Sequence, residues 1–435
     1  MIPDEKRFEH WHLLASSGHG KTQTLQHIIY HDLMRPDPPS LVVIDSQGDM
    51  LWKIQNLKIF AEQPGRLIII DPQYDPALNI FDMTTDRLRT YSPIMREQIE
   101  AGIIELYNYI FGALASEMTS KQGTAFVFVV RLMLVIDGAT LRTLLELMED
   151  QSKSFKDSPF YQYAHMLDDT ARAFFENQFF SKQAFGQTKQ QLARRLYTIL
   201  SVPAFNRSFA SSKNKLDMFT ALQSGQVILV NTAKYLLKAD ASALFGRYMI
   251  AQVMAAVFER AAHNHRHPAF LMIDEAADYF DESLENLLTQ ARKFRLGVLF
   301  AHQQMQQLSP ALRSSVATNT TIKFAGGVSD QDARSIDADM RTTAQFITSM
   351  RKHAHSTEFA AYIRNVTPTA ICLEIPFGTL EAAPRMTKQE HAALIERNTQ
   401  LYSDLFTEAG KKVQTPPQKK IARPPDDNIA PSTDY

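Results

Sequence analysis

The eight residues Ala15-Ser16-Ser17-Gly18-His19-Gly20-Lys21-Thr22 have the types and spacing that hold a phosphate chain. An apolar run ends at Ala15, and an amphipathic stretch covers 24–33. The segment therefore reads as strand, loop and helix, the context a phosphate-binding loop requires. Gly18 and Gly20 let backbone N–H groups turn inward around an anion. Lys21 can reach the β- and γ-phosphates, and the Thr22 hydroxyl can sit on Mg2+. The helix N-terminus adds a favourable dipole. Ser17, Gly18, His19, Gly20, Lys21, Thr22 and Gln23 are thus the expected nucleotide contacts, with ATP and Mg2+ as ligands. Ala15 stands where glycine is more usual.

Three later segments supply groups for hydrolysis. Phe270-Leu271-Met272-Ile273 is an apolar strand ending in Asp274-Glu275-Ala276. Asp274 is the expected Mg2+ ligand, and Glu275 the base that polarises the attacking water. Acids opening a helix would also satisfy the helix dipole, but the phosphate loop upstream favours the catalytic reading. The apolar run at 298–301 leads into His302-Gln303-Gln304, where the Gln303 amide can sense a γ-phosphate. A turn residue bonded to backbone is the plainer alternative. The basic segment 290–295 contains Arg292 and Arg295. In ring ATPases one subunit supplies an arginine to its neighbour's γ-phosphate. Arg292 is the first choice and Arg295 the second, against a solvated basic helix end.

These groups need a scaffold. Continuous apolar runs fall at 11–15, 41–45, 67–71, 227–231, 270–274 and 298–302, with weaker ones at 322–324 and 371–375. Runs without alternation suggest strands buried on both faces, and helical stretches between them suggest a mostly parallel sheet. Such sheets gather their functional polar groups at the strands' carboxyl ends, here Asp45, Asp71, Asn231, Asp274 and His302. Between 84 and 215 the strand pattern disappears. Stretches at 96–111, 141–148 and 190–200 read as helices, so this segment is expected to be an all-helical insertion. The expected divisions are 1–84 and 216–386 for the two parts of the α/β core and 85–215 for the insertion. A C-terminal helix reaching 406 and a proline-rich disordered tail would make up 387–435.

The bulk composition excludes several classes. Hydrophobic residues make up 45% of the 435 and charged residues 21%, a globular balance. One cysteine, Cys372, rules out an internal disulfide and a cysteine-rich metal site. No signal peptide is apparent. The apolar stretch at 126–136 is too short for a bilayer span of roughly 20 residues. The net charge of −1 gives no global attraction to nucleic acid, so DNA contact requires a local patch. Lys182, Lys189, Arg194, Arg195, Arg207, Lys213 and Lys215 form such a run with no acid between its ends. Phe185, Tyr197 and Phe205 are interleaved and read more readily as core than as stacking rings. Residues 341–355 and 306–315 are further candidates. A solvated basic face remains the alternative. No sequence-specific DNA-reading motif is apparent.

The order of these motifs resembles the HerA/FtsK superfamily of motor ATPases, and within it the soluble ATPase part of type IV secretion coupling proteins of the TraD/TraG kind. Arg7 to His10 precede the first strand. Ile44-Asp45-Ser46-Gln47-Gly48-Asp49 resembles that family's Asp-Pro-Lys-Gly-Glu element, with Ser46 in place of proline. Asp71-Pro72 followed by Leu78-Asn79-Ile80-Phe81 is similar to its Asp-Pro then Asn-Pro-Leu stretch. Asp274-Glu275-Ala276, Ala291-Arg292-Lys293 and Ala301-His302-Gln303 resemble its acidic, arginine and glutamine motifs. The resemblance spans 7–340. It implies a RecA-like P-loop core with an all-helical insertion, a homo-hexamer, and DNA translocation without sequence specificity in conjugative or mobile-element transfer. Relaxosome or membrane secretion-channel subunits are the implied partners. Coupling proteins usually begin with membrane helices, and fourteen residues precede Ala15 here. A soluble relative, a partner of a separate membrane subunit and a trimmed chain all stay open, and the expected location is cytoplasmic or peripheral at the inner membrane through a partner. A secretion ATPase acting on protein, or an ATP-dependent assembly or defence scaffold, stays open beside this reading.

Overall fold

A computed structural model describes residues 2–83, 86–112, 120–280 and 290–404. Nine strands form one sheet: β1 (Trp11–Ala15), β2 (Ser40–Asp45), β3 (Leu67–Ile70), β4 (Val227–Asn231), β5 (Ala269–Ile273), β6 (Leu296–His302), β7 (Ile322–Gly326), β8 (Ser356–Ile363) and β9 (Ile371–Pro376). Their order is β3-β4-β2-β5-β6-β1-β7-β8-β9. The first seven positions are joined by parallel pairs, whereas β7–β8 and β8–β9 are antiparallel. The fold is α/β and RecA-like, with a mostly parallel sheet and a helical insertion. The antiparallel pairing of the wing is not among the expectations, and neither is β8, although its second half, Phe359-Ala360-Ala361-Tyr362-Ile363, is apolar.

The apolar runs lack alternation because both faces of the sheet are covered. Val42, Ile44, Ile68, Ile70, Ile228 and Val230 join a core shared with the helices that follow β3. Their neighbours Leu41, Val43, Leu67, Ile69, Val227 and Leu229 join a second core on the opposite face. Successive strand residues point to opposite faces, so each must be apolar.

Helix α1 (Lys21–Leu33) follows the phosphate loop. Between β3 and β4 the described residues form no strand; they include α2 (Pro93–Gly112), α3 (Ser120–Val135), α4 (Leu141–Glu149) and α5 (Lys182–Leu200). Helix α6 (Lys234–Glu259) crosses the face of the sheet and meets α2 closely, where Gly102 lies against the Phe258 ring. The apolar stretch 234–262 exceeds the one at 126–136. It is long and apolar enough to cross a bilayer, but 89% of its most apolar window is buried inside the protein, as in a core helix.

The last described helix is α7 (Lys388–Tyr402), which begins with a reciprocal Thr387–Glu390 capping box. The helix stops at Tyr402, short of the expected 406, because Ser403 turns extended and bridges Pro76; the tail from 405 onward falls outside the described residues. Asn398 on α7 accepts from Ile69 N and donates to Ile69 O, each at 2.8 Å. One side chain thereby satisfies backbone groups on edge strand β3 that could otherwise pair with another strand.

Candidate nucleotide site

The loop between β1 and α1 places Ser17 and Gly18 at an exposed crest, while His19 and Lys21 turn inward and are buried. Gly18 (φ 79°) and Gly20 (φ 111°) occupy the left-handed region, which a side chain would strain. Lys21 Nζ lies 3.0 Å from Asp274 Oδ1 and 2.6 Å from Glu275 Oε1. Burial alone would lower the lysine pKa, but the two carboxylates outweigh it and raise the value, so Lys21 stays charged. Thr22 Oγ1 donates to Asp274 Oδ2 at 3.1 Å. These are hard oxygen donors of the kind Mg2+ takes alongside substrate phosphates.

Gln303 Nε2 donates to Glu275 Oε1 at 2.8 Å. Gln307 Oε1 in turn accepts from the backbone N–H of both Gln303 and Gln304, at 3.0 Å each. Glu275 has φ 53° and ψ 45°, an uncommon conformation for a residue with a side chain. Tyr279 anchors the turn that holds it: its hydroxyl bonds Thr232 Oγ1 at 2.7 Å, and its carbonyl accepts from Tyr109 Oη at 2.9 Å. Gly246 on α6 leaves the room the Tyr279 ring occupies. The fold therefore brings Lys21, Thr22, Asp274, Glu275 and Gln303 together, and α2 and α6 brace the acidic turn from behind.

A cleft of about 490 Å3 opens beside Glu275 and Gln303, lined also by Gln47, Asp49, Lys234 and Asp278. Just before these lining residues in the chain, buried Asp45 accepts from Gln47 N (2.9 Å) and Gly48 N (3.2 Å). Burial pushes the Asp45 carboxyl up to about 6, against the pull of those bonds and with help from Asp274. Lys234 and Asp278 pair at 2.9 Å. Neither was singled out from the sequence, since a lysine after β4 carries no motif.

Beneath the reactive groups, His12 Nε2 and His302 Nε2 are 2.7 Å apart, both rings buried. Burial lowers both pKa values, that of His302 to about 4, so the pair is neutral. His302 Nδ1 lies 3.1 Å from Gln304 O, which can only accept. His302 therefore carries its proton on Nδ1 and accepts at Nε2, so His12 donates from Nε2. This bond ties the strand before the phosphate loop to the strand before Gln303.

On the other flank of β1, the antiparallel wing clasps the loop. Thr357 Oγ1 donates to His19 O at 2.5 Å, and His19 Nε2 bonds Glu358 O at 2.9 Å. The imidazole packs edge-on against Phe359 and over Gly326 and Gly327, where any Cβ would collide with it. Gly378 N donates to Gln23 Oε1 at 3.0 Å. His19 and Gln23 thus turn their side chains to the wing, a role beyond the nucleotide contact expected of them.

Arg292 stands elsewhere. It precedes β6, at the amino ends of β6 and β1, and bonds Glu9 Oε1 at 2.9 Å with its side chain 60% exposed. The phosphate loop lies at the opposite ends, roughly 20 Å away at about 3.3 Å per strand residue. Arg292 cannot serve the site of its own chain. Arg295, at φ 57°, places its guanidinium over Phe8.

The basic run 182–215 is divided by the fold. Lys189 is buried, donates to Asp150 O at 2.6 Å and lies near the Phe179 and Phe180 rings. It is a structural residue and, being buried, cannot join a DNA-contacting face. Arg207 pairs with Asp75, and Lys215 with Asp404. Lys182, Arg194 and Lys213 are exposed, Arg195 partly so. Phe185 and Phe205 are core, but Tyr197 is exposed.

No protein-family model matches the chain, and no curated sequence is similar enough to count as a match. Solved structures do match. The conjugative coupling protein TrwB, in its unbound TrwBdeltaN70 form, has a TM-score of 0.59 at 13% identity, covering 89% of this chain and 88% of its own. TrwB in complex with ADP and Mg2+ has a TM-score of 0.58 at 15% identity, covering 90% and 89%. VirB4 of Thermoanaerobacter pseudethanolicus has a TM-score of 0.55 at 14% identity, covering 87% and 92%. Across nearly its whole described length, the chain has the fold of the coupling protein TrwB and of VirB4.

Proposed function

We propose that this chain hydrolyses Mg2+–ATP and uses the energy to move DNA through a homo-hexameric ring, in conjugative or mobile-element transfer. The observation that carries the ATPase part is the convergence of Lys21, Thr22, Asp274, Glu275 and Gln303 from three separate strand ends. Lys21 would hold the β- and γ-phosphates, and Thr22 and Asp274 the metal. Mg2+ would neutralise charge on the phosphate oxygens. Glu275 would take the proton of the attacking water, and Gln303, bonded to Glu275, would register the γ-phosphate. TrwB structures contain ADP with Mg2+ and a non-hydrolysable ATP analogue, which supports the same ligands here.

The ring rests on the motif reading of Arg292: an arginine finger this far from its own loop would have to serve a neighbouring copy's nucleotide, whereas a solvated basic end would simply keep its pair with Glu9. DNA rests on the fold shared with a conjugative coupling protein and on the exposed cations Lys182, Arg194 and Lys213. The protein would act on the cytoplasmic side, meeting relaxosome or secretion-channel subunits there.

The test is turnover with and without DNA. DNA-stimulated hydrolysis supports the motor. Fast turnover indifferent to DNA would point to a secretion ATPase acting on protein, and very slow turnover with ATP-dependent assembly to a scaffold. Mixing Arg292→Ala with Glu275→Gln chains should restore part of the activity at interfaces where both contributing roles are intact. No rescue at any ratio, with subunit exchange confirmed, would refute Arg292 acting in trans.

A further inference from the structure

The sheet order gives a bound nucleotide its direction. Glu275 and Gln303, which would face the γ-phosphate, stand at the ends of β5 and β6, on one side of β1. A phosphate chain with its γ end at Glu275 and Gln303 would run across the loop away from them and would put the nucleoside toward β7, β8 and β9. There the residue after β9, Phe377, lies against the loop: a Cβ on Gly20 would sit 3.0 Å from Phe377 Cε1. Two backbone bonds fix its position. Phe377 N donates to His355 O at 2.8 Å, and Gly378 N to Gln23 Oε1 at 3.0 Å. The ring is only half-buried, and a Cβ built on Gly378 would meet nothing within 4 Å. Exposed Lys352 holds its ammonium over the ring, 5.8 Å from the centroid, so a base stacking on that face would displace it to the side.

We propose that Phe377 is the platform on which the nucleotide base stacks, with the Lys352 ammonium beside it. A half-exposed aromatic face held by backbone on the nucleoside side of a phosphate loop meets what a purine needs: an apolar plane at fixed height and a nearby donor. Stacking uses the π-face that every base has. The proposal rests on reading the loop as an ATP site. It also moves Lys352 from a candidate DNA contact to the nucleotide.

The experiment compares binding of ATP and of inorganic triphosphate, each with Mg2+, by calorimetry on the full chain. Phe377→Leu keeps apolar bulk against Gly20 but removes the ring face. It should weaken ATP about tenfold, within the range of base–aromatic stacking, and leave triphosphate affinity unchanged. Phe377→Tyr, which restores the ring, should return ATP affinity toward wild type. Equal ATP affinity in Phe377→Leu, or an equal loss for both ligands, would overturn the platform. If wild-type protein binds neither ligand, the ATP-site reading falls and takes the platform with it. If it binds both and Lys21→Ala binds neither, that reading stands whatever Phe377 does.

Discussion

The two flanks of β1 hold the phosphate loop by different means. On the β6 and β5 side, side chains meet side chains: Lys21 with Asp274 and Glu275, Gln303 with Glu275, His12 with His302. On the β7 to β9 side, backbone and shape do the holding: the His19 carbonyl, the Glu358 carbonyl, the Gly378 amide and the space left by two glycines. One flank is built of groups that can exchange protons. The other is built to stay still. The difference implies that substitutions on the first should alter chemistry and pH response, while those on the second should alter affinity and stability.

The largest effect should come from Glu275→Gln. Loss of a general base typically costs 10²- to 10⁴-fold in rate, so single-turnover hydrolysis should fall by about that range while ATP affinity persists. Normal turnover would remove Glu275 from the chemistry and erase the contrast between the flanks.

The second effect concerns acid. His302 has a folded pKa of about 4, below its unfolded value near 6.5. The stability linked to this shift is fully present above pH 6.5 and is lost as pH falls toward 4. The shift corresponds to about 3 kcal/mol at most. Urea unfolding of wild type against His302→Asn should show the gap between them shift across that window. Parallel pH profiles would mean that the pair is not held neutral.

On the quiet flank, Gly327→Ala places a Cβ where the His19 ring lies and does so at φ 61°. Strain of this kind costs about 1–3 kcal/mol, so the melting temperature should drop with little change in kcat. Adding His19→Ala should recover the steric part. A kcat collapse with unchanged stability would reverse the assignment of roles.

The smallest expected effect tests the surface. Arg194→Ala with Arg195→Ala should flatten the log K against log salt slope for duplex DNA by about 1.8, at about 0.9 per phosphate contact. Equilibrium titrations over a salt series would measure this, and an unchanged slope would make the patch a solvated face.

The contrast also explains what could be read from residues alone. The reactive flank was legible because its contacts depend on residue type: an acid pair, an amide and a lysine at strand ends have few other uses. The wing was not, because a carbonyl accepting from Thr357 looks the same in any sequence, and β8 reads Ser-Thr-Glu-Phe-Ala-Ala-Tyr-Ile with small residues at its centre. Lys189 misled for a related reason. Its charge is visible in the sequence, but its burial near Phe179 and Phe180 is set by the packing of α5 on the turn before it. The motif around Arg292 is legible in the sequence, but only the strand direction shows that it stands at the far end of the sheet.

The position of β1 has a consequence for synthesis. Trp11 pairs with Leu299 on one side and Ile322 on the other, partners roughly 290 and 310 residues later in the chain. Pairings this remote in sequence slow folding, because the loop must close before the contact forms. At about 5–20 residues per second, the ribosome needs on the order of 15–60 s between making β1 and making its neighbours. Throughout that interval Trp11, Leu13 and Leu14 lack the strands that bury them. Nascent chains stalled before 296 should leave this strand open to protease, and chains extended past 335 should protect it.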